Sequence, residues 1–224
     1  MVGEMAALYD CSAPAELLTG MRLARAALGR GELVVLPTDT VYGVAADAFS
    51  PRAVQRLLDA KGRTRQSPPP VLIPSTATLE ALATEIPDQV RPVIEAFWPG
   101  GLTLILKATP SLMWDLGETH GTVALRMPSD PIALELLAET GPLAVSSANL
   151  TGLPAATNAA GARDMLGDAV EVYLDAGERS ATGSSTILDA TLATGRLRIV
   201  RHGAVSDVSL RELLGDALQQ DSGA

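Results

Sequence analysis

The side chains with chemistry to offer come in short clusters: Thr38-Asp39-Thr40, Lys61-Gly62-Arg63, Thr122 to Arg126, Ser146-Ser147-Ala148-Asn149 and Ser184-Ser185-Thr186. Hydroxyls, amides and guanidinium groups in such numbers suit carboxylates and phosphates. Arg126 is the sharpest member, because Leu125 and Met127 flank it in an apolar stretch. A guanidinium there requires an anionic partner, either a structural carboxylate or a bound ligand. Each other cluster also has a plain structural role. Thr38–Thr40 can form a turn bonded to its own backbone, and Ser146–Asn149 can turn the chain after a strand. Lys61 and Arg63 can complement the carbonyl end of a helix.

Other chemistries are excluded by pattern. There is no Gly-x-x-x-x-Gly-Lys-[Ser/Thr] phosphate loop, and Gly29-Arg30-Gly31 precedes a strand without a third glycine. His120 and His202, the two histidines, lie far apart without metal-ligand spacing. Cys11 is the one cysteine, so neither an intrachain disulfide nor a multi-thiolate metal site can form. Only 3% of residues are aromatic, too few for a single-strand RNA reader, so Trp98-Pro99-Gly100-Gly101 reads as a packed turn.

The elements that must position these clusters follow from composition and punctuation. With 224 residues, 47% of them hydrophobic, the chain can bury a substantial core in one domain. A net charge of -9 argues against a basic nucleic-acid coat, so any anionic ligand must meet a local group of Lys and Arg. No apolar run approaches the ~20 residues of a membrane-spanning helix, and Met1–Gly20 lacks the pattern of a signal peptide. Together these point to a cytoplasmic protein.

Pro, Gly and Ser cut the sequence into alternating helical and extended pieces, as in α/β folds. Ser12 is expected to cap a first helix whose apolar face runs Leu17, Leu18, Met21, Leu28. Ser50-Pro51 opens a second helix ending near Lys61, Ser75 and Asp88 cap two more, and Ser129 or Asp130 caps one over 131–139. Thr157 or Asn158 starts a sixth and Ser206 the last. Strands are expected over 32–36, 71–73, 102–106, 122–127, 143–146, 170–174, 186–188 and 197–200. The tail, residues 219–224, reads as frayed. The polar clusters thus fall at strand ends, where ligands of α/β sheets sit.

In their order along the chain, these segments resemble the YrdC family of bacterial threonylcarbamoyl-AMP synthases. The resemblance rests on Pro37-Thr38-Asp39-Thr40-Val41-Tyr42-Gly43, Ala60-Lys61-Gly62-Arg63, Trp98-Pro99-Gly100, Thr122-Val123-Ala124-Leu125-Arg126-Met127-Pro128, Ser147-Ala148-Asn149-Leu150-Thr151-Gly152, Gly183 to Thr186 and Arg201 to Gly203. It departs from the usual pattern at Thr64, Ser67, Ser184 and His202.

The resemblance implies an α/β fold: one YrdC-like domain over 1–224, its core spanning about residues 14–205, with a twisted, mixed open sheet, helices packed on it and a large concave active site. It implies formation of L-threonylcarbamoyladenylate and pyrophosphate from L-threonine, bicarbonate or CO2, and ATP with Mg²⁺, the first step of threonylcarbamoyladenosine modification of tRNA. Lys61 and Arg63 would be catalytic, with positive charge beside the phosphates. Thr40, Arg126, Ser147 and Ser185 would bind threonine. Arg63, Ser67, Thr122, Asn149, Thr157 and Arg201 would bind ATP, and no side chain would ligate metal. A downstream threonylcarbamoyl-transferase complex would take the product to tRNA. Two other functions remain open at this level: a non-catalytic double-stranded RNA-binding module of the same fold, and a related carbamoyl-adenylate-forming enzyme.

Overall fold

The computed structural model describes residues 7–179 and 183–219, and the expectation of a frayed tail falls, from residue 220 on, outside them. The strands are β1 (Ala7–Asp10), β2 (Val34–Leu36), β3 (Gly43–Asp47), β4 (Val71–Leu72), β5 (Ala83–Thr84), β6 (Leu102–Ala108), β7 (Thr122–Arg126), β8 (Leu143–Ser147), β9 (Val172–Asp175), β10 (Thr186–Asp189) and β11 (Arg198–Arg201). They form one sheet in the order β1-β9-β2-β3-β8-β4-β7-β6-β10-β11, with β5 beside β6. Pairings of β1, β2, β4 and β10 with β9, β9, β7 and β6 are parallel, and the others are antiparallel. The sheet is therefore mixed and open.

The helices are α1 (Pro14–Gly29), α2 (Pro51–Ala60), α3 (Thr76–Leu82), α4 (Val90–Phe97), α5 (Pro131–Thr140), α6 (Ala159–Leu166) and α7 (Asp207–Leu214). Five start where the sequence predicts, α3 among them with Ser75 at its N-cap but no side-chain capping bond. Ser50, Asp130, Asn158 and Ser206 each accept hydrogen bonds from backbone N–H groups one turn on. Two caps differ. Ser12 lies before the N-cap of α1, its amide held by Asp10 Oδ1 at 2.8 Å, and Pro14 fixes the first turn instead. At α4 the N-cap position is Gln89, and Asp88 contributes its carbonyl, accepting from Arg91 N, while its carboxylate lies 4.0 Å from Arg91 Nε. The apolar face of α1 is also rotated from expectation: Leu18 is 74% exposed, and Gly20, Met21, Ala24, Ala27 and Leu28 are buried. A Cβ on Gly20 would stand 2.8 Å from that of Tyr9, so the missing side chain sets this rotation.

Three strands were not foreseen. β1 is a short edge strand ending in Asp10, β5 has two residues, and β3 is Gly- and Ala-rich, with weak strand propensity, held by burial between β2 and β8.

Helices α1 and α5 cover one face of β2, β3, β8 and β9 through Met21, Ala24, Leu28, Leu136 and Leu137. Helices α2 and α6 cover the other with Ala53, Leu57, Ala162 and Leu166. Burial on both faces is why these strands are continuously apolar. Across β6, β7 and β10, one alternate set of residues (Leu102, Leu104, Leu106, Leu125, Leu188) packs with α3, α4 and α7. The opposite set bears the site.

Candidate active site

That opposite set follows from a side-chain period of two. The register pairs Ile187 with Thr103, Ile105 with Ala124 and Gly43 with Ser147, and all six line one cavity with Arg126, Val145 and Leu72. Its volume is about 300 Å³. Pro68–Pro70 form another part of its wall, joined to the sheet where Val145 N donates to Pro70 O at 2.8 Å.

Three guanidinium groups border this cavity. Arg126, only 6% exposed, donates from Nε to Gly100 O at 2.9 Å and from Nη1 to Thr40 Oγ1 at 3.0 Å. The Trp98–Gly101 turn thus has a definite task. Trp98 is buried, donating to Leu102 O at 2.8 Å, and Gly100 offers its carbonyl to Arg126. Arg126 Nη2 lies 2.8 Å from Asp39 Oδ1, a buried ion pair in which Asp39 favours the charged guanidinium against the cost of burial. The structural carboxylate that the sequence left open is therefore Asp39.

Arg63 donates from Nη1 to Ser146 Oγ at 2.9 Å and from Nε to Thr151 Oγ1 at 3.3 Å. Arg201 donates from Nη2 to Ser185 O at 2.8 Å and to Ser185 Oγ at 3.0 Å. Ser185 Oγ in turn lies 2.7 Å from Thr103 Oγ1. Burial pushes all three arginines down from their ordinary pKa, and for Arg201 the positive charges of Arg126 and Arg63 add to it. Three like charges around one partly dry space favour an anion between them.

Of the residues singled out from sequence, Thr40, Arg63, Thr122, Arg126, Ser147, Ser185 and Arg201 line the cavity together. The other four do not. Lys61 is buried behind the wall, where its Nζ donates to Ser147 O, to Asn149 O at 2.7 Å and to Asn149 Oδ1 at 3.3 Å. Burial, and next the charge of Arg63, push its pKa down to about 8. Asn149 is occupied within its own loop, donating to Leu150 O and Leu153 O at 2.9 and 2.7 Å. Thr157 accepts from Arg179 N through its carbonyl, and its hydroxyl stabilises the Glu178 carboxylate. Ser67 is exposed beside the proline wall.

Sequence reasoning named Ser146 in a polar cluster without its partner, and missed Thr103; the structure joins them to Arg63 and Ser185 respectively. Thr103 did leave a signal, a lone hydroxyl in the run Leu102-Thr103-Leu104-Ile105-Leu106.

An open α/β sheet bearing a cationic, hydroxyl-lined cavity on one face has the chemistry to take carboxylate- and phosphate-bearing small molecules. The chain belongs to the Sua5/YciO/YrdC family, whose model, described as telomere recombination, matches residues 26–203. A putative threonylcarbamoyl-AMP synthase of Mycobacterium leprae is 53% identical over 208 residues, covering 93% of this chain and 94% of the relative. One from Pyrococcus abyssi is 38% identical over 76% of this chain and 51% of its own length. The structure of P. abyssi Sua5 complexed with L-threonine superposes with a TM-score of 0.82 at 35% identity, over 87% of this chain and 57% of that one.

Proposed function

We propose that this chain is an ATP-dependent threonylcarbamoyl-AMP synthase: it converts L-threonine, bicarbonate or CO2, and ATP to L-threonylcarbamoyladenylate and pyrophosphate. This is the first step of threonylcarbamoyladenosine formation in tRNA. The observation that carries the proposal is the meeting of three guanidinium groups and several hydroxyls on one cavity, in a fold shared with a relative captured with L-threonine.

The amine of threonine and bicarbonate give a carbamate with loss of water. A carbamate oxygen then attacks the α-phosphorus, and the bond to the β-phosphate oxygen breaks as pyrophosphate leaves. No covalent enzyme intermediate is needed, so the protein acts by holding reactants together and stabilising negative charge. Arg126, with the hydroxyls of Thr40, Ser147 and Ser185, takes the amino acid. Its guanidinium suits a carboxylate. Arg63, Arg201 and Thr122 face the triphosphate. Lys61 acts one layer back, fixing the Ser147–Asn149 loop through its carbonyls. Asn149 holds the same loop by donating to Leu150 O and Leu153 O.

Among the described residues no group of three or more His, Cys, Asp or Glu is arranged to hold a metal. Mg²⁺ would enter on the triphosphate as part of the substrate. No helix among the described residues is long and apolar enough to cross a membrane, which fits a cytoplasmic enzyme passing its adenylate to a downstream threonylcarbamoyl-transferase complex and so to tRNA. Purified protein is expected to release pyrophosphate from ATP only with both L-threonine and bicarbonate present; turnover independent of threonine would refute the assignment.

A further inference from the structure

Asp39 carries no role so far beyond its contact with Arg126, yet its geometry is more specific than charge balance requires. Its Oδ1 accepts from Ser129 N at 2.9 Å, tying the β2–β3 loop to the chain that follows β7. The same oxygen lies 2.8 Å from Arg126 Nη2, while Thr40, the next residue, accepts from Nη1 at 3.0 Å. Two consecutive residues therefore fix both terminal nitrogens of one guanidinium. Asp39 itself does not line the cavity, whereas Arg126 does.

The proposed reaction places an amino acid and a triphosphate side by side in this space, among three arginines. Phosphate oxygens would be drawn to each of the three by the same attraction. Among the described residues, Arg126 alone of the three has a carboxylate in contact: Arg63 and Arg201 hydrogen-bond to hydroxyls and a backbone carbonyl. A phosphate dianion approaching Arg126 also meets the negative charge of Asp39. A zwitterion does not suffer this, because its carboxylate faces the guanidinium while its ammonium offsets the Asp39 charge. Discrimination would arise from a built-in repulsion against the wrong ligand as much as from attraction to the right one.

We propose that Asp39 is a positioning and specificity residue that holds Arg126 and offsets its charge, reserving this end of the cavity for a zwitterionic amino acid and excluding phosphate. The inference rests on the assignment of Arg126 to threonine. Calorimetric titration of L-threonine into the full chain, with and without millimolar inorganic phosphate, tests it on wild type, Asp39→Asn and Asp39→Glu. Asn retains an acceptor for Ser129 N without the charge; Glu restores the charge.

In wild type, phosphate leaves the threonine dissociation constant unchanged. In Asp39→Asn that constant rises about tenfold or more when phosphate is added, and Asp39→Glu recovers most of the exclusion. ATP affinity stays within about twofold in both variants. An Asp39→Asn protein that still binds threonine independently of phosphate overturns the proposal. So does loss of fold in both variants, seen by circular dichroism, which would make Asp39 a purely structural residue. A wild type that binds no threonine overturns the functional assignment itself, and with it this inference.

Discussion

Lys61 shows how a charged residue can brace a cavity it does not touch. All three hydrogens of its ammonium have acceptors, in Ser147 O, Asn149 O and Asn149 Oδ1. Deprotonation leaves two hydrogens for three acceptors, so wild-type activity is expected to fall as pH rises through about 8. Stability moves the other way. The folded-state pKa lies below the ordinary 10.5, so the unfolded chain binds more protons between about 8 and 10.5. The strain of burying the charge is therefore fully present below about pH 8 and is relieved as pH approaches 10.5. Lys61→Met, which leaves buried carbonyls unpaired, is expected to lower stability by on the order of 2 kcal/mol near neutrality. The stability difference between wild type and Lys61→Met should widen from pH 8 to 10.5, as measured by urea unfolding across that range. A flat difference would place the ammonium in solvent.

The elements matter through how closely they bring the clusters. Gly203 follows β11, and a Cβ there would stand 2.2 Å from Ser184 O and 2.6 Å from Ser185 C. Both are backbone atoms and cannot rotate away. Ala204 N donates to Ser184 O at 3.0 Å, so the two chains are stitched at this point. Gly203→Ala must push them apart, displacing Ser185 and the Arg201 that grips it. The expected outcome is a loss of at least about tenfold in kcat/KM for threonine with a destabilisation of about 1–3 kcal/mol. Steady-state kinetics and urea unfolding on one preparation check both. A variant with wild-type kinetics would show that the 184–185 segment adapts freely.

At the scale of the molecule, the contrast is between an acidic whole and a cationic cavity. The chain carries a net charge of -9, while Arg63, Arg126 and Arg201 meet in one space. That distribution favours a small anion that fits inside over a nucleic-acid backbone spread across the surface, because backbone affinity requires many exposed cations. In a gel-shift titration at about 150 mM salt, duplex RNA is expected to show no binding at micromolar protein. Tight, sequence-independent binding would favour the RNA-module reading instead.

Much of this architecture was legible before folding. Local signals are written in consecutive residues, so Ser50, Asp130, Asn158 and Ser206 could be read as helix starts, and the runs at 102–106 and 122–127 as strands. The polar clusters could be located for the same reason. Their directions could not. Whether Lys61 faces the cavity or the wall, and whether Arg126 has Asp39 as partner, depends on approaches between residues 86 to 88 positions apart. β3 is strand-like only because β2 and β8 enclose it, and Thr103 meets Ser185 only through the pairing of β6 with β10. The sequence by itself determined which groups were present and which strand ends carried them. Tertiary structure alone decided which of these groups share one cavity, because sheet order and register are set by long-range packing that no local pattern encodes.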